Sequence, residues 1–523
     1  MLRIFFTMKT PRVEEKVIEE ALNQTGFGKF NYKVLIVAII ITINSGISFE
    51  NISLIMPAAS CDYKMSTIAQ DHIATSSLCG LALGTYFWAL IAEIKGRKLS
   101  LIVGLLLDGG ANVIASVISN YYGFIICKFF NGVGQGPQFT VLFTYLAEFS
   151  PEKYRDKLLS WLELPVILGA IICAGIGWLI IPMEFTYITS NIFFFNPWNL
   201  YNLVCSMVAL LSAFLVTFLP ETPKYLAETG QYTKLMDVLS RMFRENTGGT
   251  DKEYIERLKK LQLPEVNDLL VKVKSSTNEC KDKSSFVKSF LKFIKQVKEI
   301  MKPPYLNRTL IVCVAMYGTT YSIFVVMLWT PEIFDRFAIF EEKYPNMSAS
   351  ICVISEKLYS KDATQDNVFN PENCPSKLDS TVFSHTIILS LAALPGGLWL
   401  PLFIDKFGYK FNFILASVMS CLLYIGLLFV RNSSQNLILT CLIDALSFGD
   451  SVIYYMLVNL YPTHLRVIAA NLVAFVGHVG GMLSIIVVGY LIDDYCVLLI
   501  VMISVHVGVA AVFGFFIPKG LPT

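Results

Sequence analysis

The chain has 523 residues, of which 54% are hydrophobic and only 16% charged, and a net charge of +2. Soluble domains carry about 25% charged residues, so this composition cannot clothe a water-soluble surface of such size and points to lipid as the solvent. The near-neutral balance gives no basic footprint for nucleic acid. Twelve cysteines form no CxxC pair and five histidines make no pair on one helix face, so neither a metal nor a cofactor is expected. No nucleophile–base constellation suggests an enzyme.

Residues 1–33 are polar and mixed in charge, with Glu14, Glu15, Lys16, Glu19 and Glu20. They lack a signal-peptide pattern and read as a cytosolic tail. Twelve apolar runs then follow, each long enough for the roughly 20 residues a membrane helix needs. They are 34–57, 72–92, 100–119, 121–144, 160–182, 199–219, 307–328, 383–404, 411–430, 436–458, 466–489 and 497–517. We number them spans 1 to 12. All must be helical, because open strand edges cannot be satisfied in lipid. The organisation is a bundle over 34–219, a linker over 220–306, a second bundle over 307–517 and a tail at 518–523. A loop over 331–382 follows span 7.

Charge sets the orientation. The 220–306 linker holds 17 Lys or Arg against 12 acids, and the 331–382 loop holds 5 against 9. The linker, Lys95-Gly96-Arg97-Lys98 and both termini are therefore expected on the cytosolic side. Within the linker, 251–262 and 284–301 have helical amphipathic spacing, with Phe286, Phe290 and Phe293 among lysines; this suits a helix lying on the bundle or the headgroups. The 331–382 loop carries a glycosylation sequon at Asn346 and two cysteines, Cys352 and Cys374. A disulfide between these two is expected in an oxidising compartment, with Cys61 and Cys496 near the same face as alternative partners.

Two short motifs recur. Glu148-Phe149-Ser150-Pro151 leading to Arg155 returns as Asn459-Leu460-Tyr461-Pro462 leading to Arg466, an offset of 311. Glu93 to Lys98 returns as Asp405 to Lys410, an offset of 312. Two unrelated motifs whose offsets agree to within one residue imply two parallel copies of a six-helix unit, the arrangement that lets a transporter rock around a central site.

These residues resemble the major facilitator superfamily. The span 2–3 loop is similar to its G-x-x-x-D-x-x-G-R-K signature, with Ala89 and Glu93 in place of Gly and Asp while Gly96, Arg97 and Lys98 match. Span 4 reads Lys128-Phe129-Phe130-Asn131-Gly132-Val133-Gly134-Gln135-Gly136, similar to the R-x-x-x-G-x-G-x-G of sugar porters and organic ion transporters. Tyr145 to Arg155 and Pro220-Glu221-Thr222-Pro223 match as well. Within that superfamily the chain resembles the synaptic vesicle glycoprotein 2-like proteins of insect type, through Gly26-Phe27-Gly28-Lys29-Phe30, Pro57 to Asp62, Tyr86 to Ala89 and Leu159-Ser160-Trp161. The vertebrate glycoproteins have a pentapeptide-repeat domain after span 7; here that loop is only about fifty residues, so roles tied to that domain are not carried over. The resemblance implies an all-helical major facilitator fold and an inner gate of Glu93, Arg97, Lys98, Glu148, Arg155 and Glu221, with Asp405 and Arg466 in the second half. Asn459 and Tyr409 replace charged residues there, which implies an asymmetric gate. Solvated anchoring charges are the alternative reading.

Span 4 carries a polar stripe, Lys128, Asn131, Gln135 and Gln138, on one helical face. A lysine in hydrocarbon costs roughly 2.5–3.5 kcal/mol and should face the interior. Two readings stand: a cavity wall that meets substrate, or a packing seam with Lys128 reaching outward. The intramembrane acids are Glu50, Asp108, Glu163, Asp444 and Asp450. Spans 1, 4, 7 and 10 line the cavity of this fold, which ranks Glu50 and Asp444 first as substrate or proton groups; internal pairing is the reading for the other three. Tyr317 and Tyr321 share a face of span 7, for stacking on a substrate or for packing. His478 and His506 read as interhelical donors.

The expectation is a monomeric, multi-pass secondary transporter of a small organic solute, with protons as coupling ion, in a vesicle or plasma membrane. The alternative is a scaffold or receptor that keeps the transporter fold.

Overall fold

A computed structural model describes residues 13–189, 193–261, 294–295, 297–359, 378–461 and 463–518. Each expected span is a helix. Span 1 is Lys29–Ala59, span 2 Thr67–Lys95, span 3 Arg97–Ala115, span 4 Tyr121–Phe149, span 5 Glu163–Ile180 and span 6 Pro197–Thr217. In the second half, span 7 is Leu306–Lys343, span 8 Ser380–Phe407, span 9 Tyr409–Gly426, span 11 Thr463–Leu491 and span 12 Cys496–Phe516. Span 10 is split into Ser433–Ala445 and Gly449–Leu460. Among the described residues, eleven helical stretches are long and apolar enough to cross a bilayer. Span 4 has the length, 29 residues, but its polar stripe dilutes its apolar character.

Sequence signals set the helix ends. The Ser66 hydroxyl accepts from the Ala69 amide at the start of span 2, and the Asn120 side chain accepts from the Tyr122 and Gly123 amides at the start of span 4. Spans 2 and 4 pack backbone to backbone: a Cβ at Gly132 would collide with the Ser77 carbonyl, so small residues permit the contact. The halves meet along three seams, span 2 on span 11, span 5 on span 8 and span 1 on span 7.

Several boundaries differ from expectation. Span 7 runs on to Lys343, fifteen residues past the expected end. Its last turns bury Phe334, Phe337 and Phe340, and Glu332 and Arg336 neutralise each other one turn apart at 3.0 Å; a hydropathy window counts those two charges as an exit. A helix over Glu152–Ser160 leads into span 5. A short antiparallel pair, Tyr187–Thr189 with Phe193–Phe195, connects spans 5 and 6.

At one end of the bundle, the tail helix Val13–Gln24 packs with three linker helices, Pro223–Glu228, Tyr232–Thr247 and Asp251–Lys260. Val17, Ala21, Leu235, Phe243, Tyr254 and Leu258 are buried between them, and Tyr254 donates to the Ala21 carbonyl at 2.8 Å. The Gly26-Phe27-Gly28 turn is required here. Gly26 has φ 71°, and a Cβ on Gly28 would lie 2.7 Å from the Asn246 carbonyl oxygen. The amphipathic stretch at Phe286, Phe290 and Phe293 lies outside the described residues.

At the opposite end, the expected Cys352–Cys374 disulfide is corrected: Cys352 is bonded to Cys496. The loop helix Ile351–Tyr359 buries Ile351, Ile354 and Leu358 against Phe337, Val430 and Ile500, which brings Cys352 onto the first residue of span 12. Cys374 lies outside the described residues, and Asn346 is exposed just beyond span 7. Proteolysis without reductant should release a peptide joining Cys352 to Cys496. Recovery of Cys352 joined to Cys374 would contradict this arrangement.

Candidate functional site

The motif residues expected to form the inner gate gather at the end that carries the linker helices. Gly96, at φ 104°, turns the chain between spans 2 and 3, and the Glu221 carboxylate occupies the space a side chain there would need. Glu221 accepts from the amides of Arg97 (3.1 Å) and Lys98 (3.2 Å) at the start of span 3, and from Thr222 (2.9 Å). A carboxylate at a helix N-terminus is favourable. Burial nonetheless pushes the Glu221 carboxyl above its ordinary range, against the lowering effect of those amides and Arg97. Arg97 pairs with Glu148 at 3.1 Å and Glu228 at 3.6 Å and lies over the Tyr225 ring. The Gly-Arg-Lys and Pro-Glu-Thr motifs are thus two sides of one contact.

Other gate residues have different partners. Lys98 donates to the Thr217 carbonyl at 2.7 Å, and Glu93 is exposed and adds only to the field at Arg97. Arg155 pairs with Glu19 of the tail helix at 2.9 Å. It also donates to the Ser150 carbonyl, as Arg466 donates to Tyr461, each five residues back; the repeat is visible in the bonding. Asp405 belongs to the span 8 helix, and its side chain is outside the described residues. The ion pairs of Arg97 and Arg155 therefore lie within the N-terminal half and its tail and linker helices.

The span 4 stripe is a closed polar core. Lys128 is fully buried, and its ammonium donates to Asn51 (3.1 Å), Asn112 (2.9 Å) and Asn202 (3.1 Å). An ammonium has three hydrogens, so three amide oxygens answer all of them. Asp108 accepts from Asn44 (2.8 Å), Asn131 (2.6 Å) and Gln138 (2.7 Å), and Gln135 donates to Asn131. Lys128 and Asp108 are each other's nearby opposite charge. The packing-seam reading fits, with one correction: Lys128 does not reach outward but is buried in an amide cage, which leaves no N–H for an open cavity wall. Asn131 and Gln135 share that role.

Glu50 and Asp444 are arranged differently. Glu50 is 6% exposed and accepts from the Ser53 hydroxyl at 2.9 Å. Asp444, from the other half, is the charged group felt at Glu50. Cys173 and Tyr201 are within electrostatic reach of Glu50, and Tyr424 and Cys441 within reach of Asp444. Asp444 is half-buried, eleven residues into its half-helix, roughly 16 Å from its start at 1.5 Å per residue, and one residue before the helix breaks. Phe49 packs edge-on against Phe324 of span 7 (6.0 Å) and Phe139 of span 4 (5.6 Å). Tyr321 stacks flat on His506 at 4.0 Å and Tyr317 tilts against both, so that pair packs within the second half. A further acid contact spans the seam, where Ser451 donates to Glu163 at 3.2 Å beside Asp450.

One site was missed from sequence. Arg336, fully buried, pairs with Glu332 (3.0 Å) and Asp493 (2.8 Å) and donates to Ser355 (3.0 Å) and Thr67 (3.4 Å). It ties span 7, the loop helix and the span 11–12 turn to the first residue of span 2, across the halves. The signal was present in the four-residue Glu332–Arg336 spacing, but the assumed end of span 7 at 328 hid it. Among the described residues no group of three or more His, Cys, Asp or Glu could hold a metal ion.

Twelve spans in two halves, with acids of both halves within electrostatic reach of each other, define a multi-pass membrane protein of the major facilitator type. A family model described as "Sugar (and other) transporter" matches residues 25–356, and the chain belongs to that family. It is similar to synaptic vesicle glycoprotein 2B of Rattus norvegicus, 24% identical over 333 residues, 62% of this chain and 48% of that protein. It is also similar to synaptic vesicle glycoprotein 2A of Bos taurus, 20% identical over 535 residues, 86% of this chain and 72% of that one. The chain spans about half the length of the first of these relatives. In fold it is similar to the xylose transporter XylE of E. coli in a partially occluded inward open conformation, with TM-score 0.64 and 14% identity over 94% of this chain and 98% of that one. The same protein, as a proton:xylose symporter bound to 6-bromo-6-deoxy-D-glucose, gives TM-score 0.63 at 15% identity over 93% and 94%.

The two polar sites should respond oppositely to neutral substitution. Lys128→Met strands three amide oxygens and Asp108, and should destabilise the detergent-solubilised protein by roughly 3 kcal/mol or more, read as a clear fall in thermal midpoint. Glu50→Gln should leave the midpoint unchanged or raise it. Equal falls in both variants would contradict the distinction.

Proposed function

We propose that this protein is a secondary active transporter of a small organic solute, working by alternating access with protons as the coupling ion. The observation that carries the reading is the pair Glu50 and Asp444: a buried carboxyl of the first half that feels the charge of a half-buried one from the second, with no fixed cation between them among the described residues. Intramembrane carboxyls are the general carriers of protons in pumps and transporters, and a site shared by two halves is exposed to one side or the other as the halves rock. Family membership and the proton:xylose symporter named among its structural neighbours support the reading.

The Arg336 network supports a closed state at its end of the bundle. Its disulfide, and the exposed sequon at Asn346, suit an oxidising compartment. The opposite end, with the tail and linker helices, is then cytosolic, and both termini lie there. The vesicle glycoproteins among the relatives favour a vesicle membrane. The reading needs only one copy of the chain.

Purified protein in liposomes under an imposed pH gradient tests this. Unsubstituted protein should accumulate a family solute, whereas Glu50→Gln and Asp444→Asn should each lose most gradient-driven flux, tenfold or more. Full flux with unchanged pH dependence in both variants would remove the proton role of this pair. Absence of flux across sugars, organic cations and organic anions, with ligand binding retained, would favour a scaffold or receptor.

A further inference from the structure

The Arg336 network closes the disulfide end, and another acid lies just beneath it. Asp71 stands one residue before the expected start of span 2 and falls in the first turns of its helix, which begins at Thr67. It is 1% exposed. Its neighbour is span 11 of the other half: a Cβ added to Gly489 would lie 2.8 Å from the Asp71 Cβ and 3.2 Å from its Oδ2. The acid therefore sits in the seam between the halves, against bare backbone. Thr67, four residues before Asp71, accepts from Arg336, and Asp493, four residues after Gly489, pairs with it. The Arg336 network thus covers the outer side of the contact between Asp71 and Gly489. On the inner side, Ala74 and Leu78 of span 2 share one buried apolar cluster with Ile485 and Val488 of span 11.

Nothing here answers a negative charge. Asp71 Oδ1 is buried without a hydrogen-bond partner, and among the described residues no cation pairs with the carboxyl. Arg336, the cation nearest this layer, is engaged by Glu332 and Asp493. Span 4 faces the start of span 2 with Tyr121, whose hydroxyl donates to the Ala69 carbonyl and lies 3.4 Å from His72 Nδ1; His72 itself is exposed. Span 1 brings the apolar Met56 to the same cluster.

Two neighbours on the same helix, Gln70 Oε1 and Thr75 Oγ1, are also buried without partners. Buried polar atoms are normally satisfied. An amide oxygen and an ionised carboxylate can only accept, so this corner of the seam is short of hydrogens. A proton on Asp71 supplies one and removes the charge. The N-terminal field of span 2 favours a carboxylate, but that field is small beside the cost of burying an ion without a partner.

We propose that Asp71 is a proton-binding site in the gate at the disulfide end: it takes up a proton from that side as spans 2 and 11 close on it, and releases it to water as they part. Acid on that side then favours the closed end, because the closed form binds one more proton than the open one. Gly489 is part of the device, since a side chain there would press on Asp71 before the halves met. The assignment rests on the halves parting at this end, as the transporter reading has them do, but not on any solute passing.

The test uses the full chain in detergent, with spin labels at Tyr122 and Phe429, exposed positions at this end of the two halves. In otherwise unsubstituted protein, the ratio of short to long distances should rise roughly tenfold or more between about pH 8 and about pH 5, the change that one unit of proton affinity produces. Asp71→Asn keeps the shape without the charge and should hold the short distance at both pH values. Gly489→Ala should favour the long distance even in acid. Glu50→Gln should keep the pH response. Distances that ignore pH in the unsubstituted protein, or that respond equally in Asp71→Asn, would overturn the proposal. A response lost in Glu50→Gln but kept in Asp71→Asn would assign the proton to the central acid instead and overturn it as well. A response lost only in Asp71→Asn, in protein that shows no proton-driven flux in liposomes, would keep this site and remove the transport reading. The same shift on exchanging choline for sodium at constant pH would assign a metal cation and overturn the proton site.

Discussion

A polar group in hydrocarbon has only the protein to answer it, and this constraint sorts the buried polar residues of the chain into two kinds. Lys128 and Asp108 are answered in full, by three amide oxygens and three amide nitrogens respectively. Such a network is rigid, because removing any member strands the others. It fixes spans 1, 3, 4 and 6 as one body. Glu50 accepts from one hydroxyl of its own helix, Ser53, and feels the charge of half-buried Asp444 from the other half. A satisfied charge holds a structure together; an unsatisfied one leaves a place for something that comes and goes.

The two ends of the molecule follow the same division. At the linker end the charged motifs close on themselves. Arg97, Glu148 and Glu221 bind spans 2, 3 and 4 to the start of the linker, and Arg155 holds the tail helix. Burial works against the Glu245 carboxyl near this cap, but hydrogen bonds from Arg241 and Lys33 hold it below the ordinary range, so the cap is stitched to span 1 as well. These contacts make the first half rigid rather than joining it to the second. At the disulfide end, Arg336 reaches from the second half to Thr67 of the first. Exposed ion pairs are worth only about 0–1 kcal/mol each, but Arg336 is buried and multiply bonded, which suits it to bias one conformation.

Much of the fold was legible in the sequence because lipid demands long apolar runs, and those runs survive in composition alone. All twelve spans, the doubled unit and its 311-residue offset could be read directly. What could not be read were features set by tertiary contact. The length of span 7 depends on a buried pair, Glu332 and Arg336, that a hydropathy window treats as two charges. The partner of Cys352 depends on how the loop helix packs on span 12. Within the candidate site, Glu50 and Asp444 were legible as acids in cavity-lining helices, whereas the fate of Lys128 turned on Asn51, Asn112 and Asn202 from three other spans. No spacing rule brings those together. The gate motifs were recognisable from their resemblance, but that resemblance does not say which half each ion pair stays within.

The claim beneath all of this is that two rigid halves move about an acid pair shared between them. Pulsed-dipolar distances between site-specific spin labels test it most directly, with one label pair at Tyr122 and Phe429 and another at Phe218 and Phe516, all exposed positions near the two ends. Between unsubstituted protein and Glu50→Gln, the account predicts that one distance lengthens while the other shortens. Distributions that stay the same at both ends, in liposomes at every pH tried, would contradict it.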